Sequence, residues 1–116
     1  MSTREHRKDE MKRIYVAGHY THGDVAVNVR NAMEAGTRII EAGHSPFIPH
    51  LYHFVHMQKP QAYSVWITLD LAWVEVCHAL LRLPGDSPGA DGEVAYAKQL
   101  GIPVFTDMSE LLEWLK

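Results

Sequence analysis

A chain of 116 residues, 47 % of them apolar, is long enough to bury one real core and too short for a second domain. A formal charge of −3 with no basic block argues against a nucleic-acid polymer or an anionic membrane as partner, because neutralising phosphates takes clustered Lys and Arg, so a small molecule is the expected partner. The single cysteine, Cys77, leaves no internal disulfide, fits a reducing cytoplasm and reads as a helix-end packing residue.

Residues 1–12 carry charges of both signs (Arg4, Glu5, Arg7, Lys8, Asp9, Glu10, Lys12) and no apolar run, so they read as a flexible tail and not as a signal peptide. A domain over 13–116 follows. Arg13-Ile14-Tyr15-Val16-Ala17 is rich in strand formers and is closed by Gly18. After the loop at 19–23, Asp24 is the candidate cap of a helix to about Ala42, with Val25, Val29, Ala32, Ile39 and Ile40 on its buried face and Gly43 as its stop. Ser45-Pro46-Phe47-Ile48-Pro49 reads as a second strand, its prolines suited to strand ends. Residues 50–62 show no clean period and read as a loop with a short helical turn.

A helix over 62–77 is expected next, with Val65, Leu69, Ala72 and Val76 as its buried face and Tyr63, Trp66, Asp70 and Trp73 along a second stripe. His78 to Leu83 reads as a buried strand. It leads into Pro84-Gly85-Asp86-Ser87-Pro88-Gly89-Ala90-Asp91-Gly92-Glu93, a strand-loop-helix corner in which Ser87 caps a helix that Pro88 begins. Glycines at 85, 89 and 92 let backbone approach a ligand, and the helix N–H groups point at it. Glu93 sits one turn into that helix between Ala90 and Ala97, so its carboxylate is reachable from the pocket. Ile102-Pro103-Val104-Phe105 is the last strand, and Ser109 caps a final helix over 110–116.

Alternating strands and helices predict an α/β fold, a Rossmann-like or flavodoxin-like parallel sheet of four to five strands flanked by helices. Ligands bind such sheets beyond the strands' carboxyl ends, so the loops at 18–24, 49–60 and 84–92 should share one cleft. A P-loop and the dinucleotide fingerprint are both missing, and a receiver domain would need acidic residues where Gly18-His19-Tyr20 stands.

In order, Ile14-Tyr15-Val16-Ala17-Gly18-x-Tyr20, Asp70 ahead of the third strand, and Ser87-x-Gly89-x-x-x-Glu93 resemble the nucleoside 2-deoxyribosyltransferase superfamily, which includes nucleoside 5′-monophosphate N-glycosidases. The resemblance covers residues 13 to about 107 and departs from the common pattern at His19 and Asp91. It implies Glu93 as nucleophile, Asp70 as an acidic partner, and a Gly18–Tyr20 loop holding sugar or base. Serine at 87, where the transferases resemble one another in having aspartate, favours a 5′-monophosphate: a hydroxyl and helix N–H groups would receive a phosphate that a carboxylate repels.

The reaction expected is retaining N-glycosidic cleavage, with Glu93 attacking C1′ and Asp70 or a histidine from 50–56 protonating the departing base. Base exchange between deoxynucleosides is the alternative reaction, and a non-catalytic nucleotide-binding module is the alternative of another class. Tyr15, Gly18, His19, Tyr20, His50, Ser87 and Gly89 are the candidate substrate contacts, with Tyr15, Tyr20, Trp66 and Trp73 as stacking surfaces for a base. No cofactor is implied. His50, His53 and His56 drift around a helix at i, i+3, i+6 with nothing to complete a metal set, so no metal is expected. A homodimer or higher homo-oligomer is expected to cover the cleft, anchored by Trp66, Trp73 and Trp114.

Overall fold

In a computed structural model, residues 11–116 are described; most of the charged tail expected at 1–12 therefore lies outside the described residues. Strand β1 (Arg13–Ala17) is the axis of the fold, and every residue from Ile14 to Ala17 is fully buried. Helix α1 (Val25–Glu41), strand β2 (Ser45–Phe47), a 3-10 turn (Pro49–Leu51) and helices α2 (Tyr52–Gln58) and α3 (Tyr63–Val76) follow. Strand β3 (Ala79–Arg82), helix α4 (Pro88–Gln99), strand β4 (Val104–Phe105) and helix α5 (Met108–Trp114) complete the order. The strands form one four-stranded parallel sheet in the order β2-β1-β3-β4, with Tyr15 level with Phe47 on one side and with Leu80 on the other. The chain has the α/β fold that the sequence predicts.

Alternation along β1 divides the core in two. Ile14 and Val16 pack with Ala32, Ala35 and Ile39 of α1 and with Leu111 and Leu115 at the carboxyl end. Tyr15 and Ala17 point the other way, into Val74, Leu80, Ala90 and Ala97, beneath α3 and α4. The strand order reverses between β1 and β3: one connection runs outward from β1 to β2, the other from β3 to β4. Such a reversal opens a crevice above the carboxyl ends of the two central strands.

Several local expectations shift. Asp24 caps α1 by accepting from the Val27 amide at 3.2 Å, and Gly43 ends it at φ +91°, but Ile40 points to solvent at 59 % exposure. Strand β2 is three residues long and lies at the sheet edge, where Pro46 costs no ladder hydrogen bond on its open side. The aperiodic stretch after it holds a full α2, whose apolar Phe54, Val55 and Met57 face solvent and so give no amphipathic signal. Asp107, not Ser109, caps α5, accepting from the Ser109 amide at 2.7 Å.

The largest difference concerns α3. Its expected buried stripe faces outward, with Val65 and Leu69 each 38 % exposed and Val76 46 %, while Ile67, Asp70, Leu71 and Val74 turn inward. Only Ser64, Thr68, Asp70 and Glu75 are polar in this helix, and a helix apolar nearly all round has no face its sequence can orient. Of the three tryptophans expected to anchor an interface, Trp66 is half-buried in the cavity wall, whereas Trp73 and Trp114 are about two-fifths exposed.

Candidate active site

The three loops converge as expected. They enclose a cavity of about 320 Å³ above the reversal point, lined from β1 by Gly18 to His22, from the β2 side by Pro49, His50, Tyr52, His53 and His56, and from β3 by Ser87 to Ala90 and by Glu93. Helix α3 supplies Tyr63, Trp66, Ile67 and Asp70. Of the residues singled out in the sequence, Gly18, His19, Tyr20, His50, Asp70, Ser87, Gly89 and Glu93 all line this cavity.

The corner after β3 is built by local rules. Ser87 is extended and its Oγ accepts from the Ala90 amide at 3.0 Å, while Pro88 occupies the first helical position, where no amide proton is needed. Arg82 ties the loop down, donating to the Gly85 carbonyl at 2.9 Å and to Asp91 Oδ1 at 3.0 Å. Gly85 adopts φ +116°, which strains any residue with a Cβ, and a Cβ there would also displace the His19 ring, 2.5 Å away at Cε1. Gly89 likewise makes room for the Tyr63 hydroxyl, 3.0 Å from where its Cβ would stand. Gly92 meets nothing and faces outward. Two of the three corner glycines thus admit neighbouring side chains.

Glu93 is 6 % exposed and receives a 2.8 Å hydrogen bond on Oε2 from the Tyr15 hydroxyl. Tyr15 itself is fully buried and does not line the cavity, which corrects its expected role as a substrate contact and stacking surface. A tyrosine inside a central strand needs a partner for its hydroxyl, and Glu93 is that partner. The signal was present in the alternation of β1, which sends Tyr15 toward the α4 side. Burial pushes the Glu93 carboxyl up to about 8, reinforced by the Asp70 charge and opposed by the Tyr15 hydrogen bond and the Arg82 charge. Asp70 is raised to about 6, again mainly by burial, with its hydrogen bond to Glu93 acting the other way. With both carboxyls raised, and Glu93 the more so, the two titrate as a pair in which Glu93 is the last to lose its proton.

The β2 side of the cavity is aromatic. Phe47 stacks between Tyr15 and Trp73, with centroids 5.6 and 4.6 Å away, and Tyr52 lies 5.2 Å from Trp66. Trp66 and Tyr20 line the cavity, whereas Trp73 lies outside it, stacked on Phe47 with its indole N–H donating to the Tyr52 hydroxyl at 3.2 Å. Tyr52 is a lining residue the sequence did not single out, hidden in the stretch without periodicity. The histidines are held individually: His53 Nδ1 is hydrogen-bonded to the Tyr20 hydroxyl, and His56 Nδ1 accepts from Trp66 Nε1 at 2.9 Å and from the Gln61 amide at 3.2 Å.

Residues 12–107 match the family model described as Domain of unknown function (DUF7768). The chain belongs to this family. No curated protein matches the sequence. Among solved structures, this DUF7768 member is similar to a 2-deoxyribosyltransferase from the psychrotolerant bacterium Bacillus psychrosaccharolyticus, with a TM-score of 0.59 and 20 % identity over 79 % of this chain and 69 % of that one. It is also similar to a 2-deoxyribosyltransferase from Leishmania mexicana, with a TM-score of 0.58 and 20 % identity over 80 % of this chain and 61 % of that one. The fold is that of the 2-deoxyribosyltransferases, the family whose motifs the sequence resembles. Among the described residues no helix is long and apolar enough to cross a membrane.

Proposed function

We propose that this chain transfers the sugar of a deoxynucleoside from one base to another, with Glu93 as the nucleophile. The observation that carries the reading is the buried carboxyl at the rim of a glycine-flanked cavity, held by a tyrosine hydroxyl from the adjacent central strand and paired with a second carboxyl. In the reactive arrangement the proton shared by the pair sits on Asp70, although Glu93, with the higher pKa, holds it more of the time; ionised Glu93 attacks C1′ as the C1′–N bond breaks, and Asp70 protonates the leaving base. The result is a glycosyl ester on Glu93 and a free base. An incoming base then attacks C1′ from the face the first base left, its own proton returning to Asp70 and the glutamate leaving as carboxylate. The two inversions give net retention.

Base exchange is preferred to hydrolysis of a nucleoside 5′-monophosphate for two reasons. The similar structures are transferases by description. Among the described residues the cavity lining contains no lysine or arginine, and Arg82 is spent on the loop carbonyls and Asp91, so a dianionic phosphate would find no lysine or guanidinium partner there. Ser87 is the feature that favours the monophosphate, and its Oγ is already the acceptor for the Ala90 amide.

The test is incubation of the full chain with a 2′-deoxynucleoside and a second free base, read by chromatography. A new deoxynucleoside is expected, and roughly 10³-fold less of it from Glu93→Gln with the fold intact, the order seen when a catalytic nucleophile is removed. Turnover of a 5′-monophosphate alone, or undiminished exchange by Glu93→Gln, overturns the reading.

A further inference from the structure

Among the described residues, three buried side-chain polar atoms have no hydrogen-bond partner: His19 Nδ1, His50 Nδ1 and Asp70 Oδ1. All three residues line the cavity described above. Buried polar atoms are nearly always paired, so orphans gathered around a single cavity mark positions that a bound molecule completes.

His50 is the most constrained of them, at 3 % exposure. Its Nε2 stands 3.2 Å from the His19 carbonyl oxygen, which can only accept, so the ring proton is on Nε2. Nδ1 is then a bare lone pair. Burial pushes the ring's pKa below the ordinary histidine value, against weaker help from the backbone carbonyls of His19 and Gly18, so the ring stays neutral. That removes His50 from the histidines that the sequence allowed as general acids and makes it a fixed acceptor.

The position of His50 says what it accepts from. It lies in the 3-10 turn that runs straight into α2, whose Tyr52, His53 and His56 form the aromatic side of the cavity with Trp66. Ser87, Gly89 and Glu93 come from beyond β3, on the other side of β1 in the sheet order. A flat base lies against the aromatic side and its sugar beside the carboxyl at the glycine corner. We propose that His50 is a specificity-determining residue whose Nδ1 accepts a hydrogen bond from the exocyclic amino group of the base, selecting nucleosides of amino-bearing bases such as adenine and cytosine. This rests on the nucleoside reading of the cavity given above.

A site built to pair a substrate N–H discriminates strongly against the analogue that lacks it, because its buried acceptor is then left empty. The experiment uses the full chain carrying Glu93→Gln, so that ligand is bound and not consumed, and calorimetric titration with 2′-deoxyadenosine, purine 2′-deoxyriboside and 2′,3′-dideoxyadenosine. With His50 present, loss of the 6-amino group is expected to weaken binding roughly tenfold or more. With His50→Gln, which keeps a donor toward the His19 carbonyl and deletes the Nδ1 acceptor, 2′-deoxyadenosine and purine 2′-deoxyriboside should bind within about twofold of each other. His50→Asn, which returns an acceptor near the Nδ1 position, should restore the discrimination and supplies the readout if the glutamine variant is unstable.

An amino-group preference that is the same with and without His50 overturns the inference while the nucleoside reading stands. A loss that follows removal of the 3′-hydroxyl and disappears in His50→Gln overturns the assignment to the base. If none of the three nucleosides binds, the reading of the cavity itself fails.

Discussion

The two faces of the sheet are built from one strand but to different ends. On the α1 side Ile14, Val16, Ala32, Ala35, Ile39, Leu81 and Leu111 form a buried cluster without a titratable group. On the α4 side the same strand presents Tyr15, and around it lie the buried or half-buried Glu93, Asp70 and Cys77. Apolar burial stabilises in proportion to area, so the first face is where stability is gained. Desolvating two carboxyls is unfavourable, so the second face gives up part of that stability to hold groups with displaced pKa values. A period of two along β1 is what allows one segment to serve both purposes.

Substitutions on the two faces should separate stability from chemistry. Leu81→Ala, on the apolar face, is expected to cost about 2–5 kcal/mol of unfolding free energy in denaturant melts, with exchange activity per folded molecule little changed. Glu93→Gln is expected to do the reverse, and a variant of either kind that moved both quantities equally would erase the distinction.

Tyr15→Phe gives a smaller and more diagnostic effect. The Tyr15 hydroxyl favours the ionised form of Glu93, so its removal raises the carboxyl's pKa further. On the proposed mechanism the limb of the pH–rate profile that reports ionisation of Glu93 should move to higher pH, with activity at pH 7 falling roughly tenfold for each unit moved. An unmoved limb would reduce Tyr15 to a packing residue.

The smallest effect expected is on thermal stability against pH. Glu93 ionises at an ordinary carboxyl pKa in the unfolded chain but only at about 8 when folded, so the folded state binds the extra proton between those values. The stability this contributes is fully present below pH about 4.5 and is lost as pH rises toward 8. The melting temperature should therefore fall by several degrees over that window. In Glu93→Gln the slope should flatten, leaving that variant at least as stable as the parent at pH 8.

The sequence alone settled whatever is decided within a few residues. Ser87 and Pro88 start α4 because the cap and the proline's fixed φ act locally, and that start places Glu93 one turn inward. The parallel order of strands and helices, and the convergence of their loops, followed from alternating periods and the rule for parallel sheets. Side-chain partners across the fold were a different matter. That Tyr15 meets Glu93, 78 residues away, and that the His50 Nε2–H donates a hydrogen bond to the His19 carbonyl depend on which elements lie side by side. The inward face of α3 shows the reason most plainly: with apolar residues nearly all round, its sequence carries no preference for one face, and only packing against β1 and α4 turned Asp70 into the cavity and left Val65, Leu69 and Val76 in water.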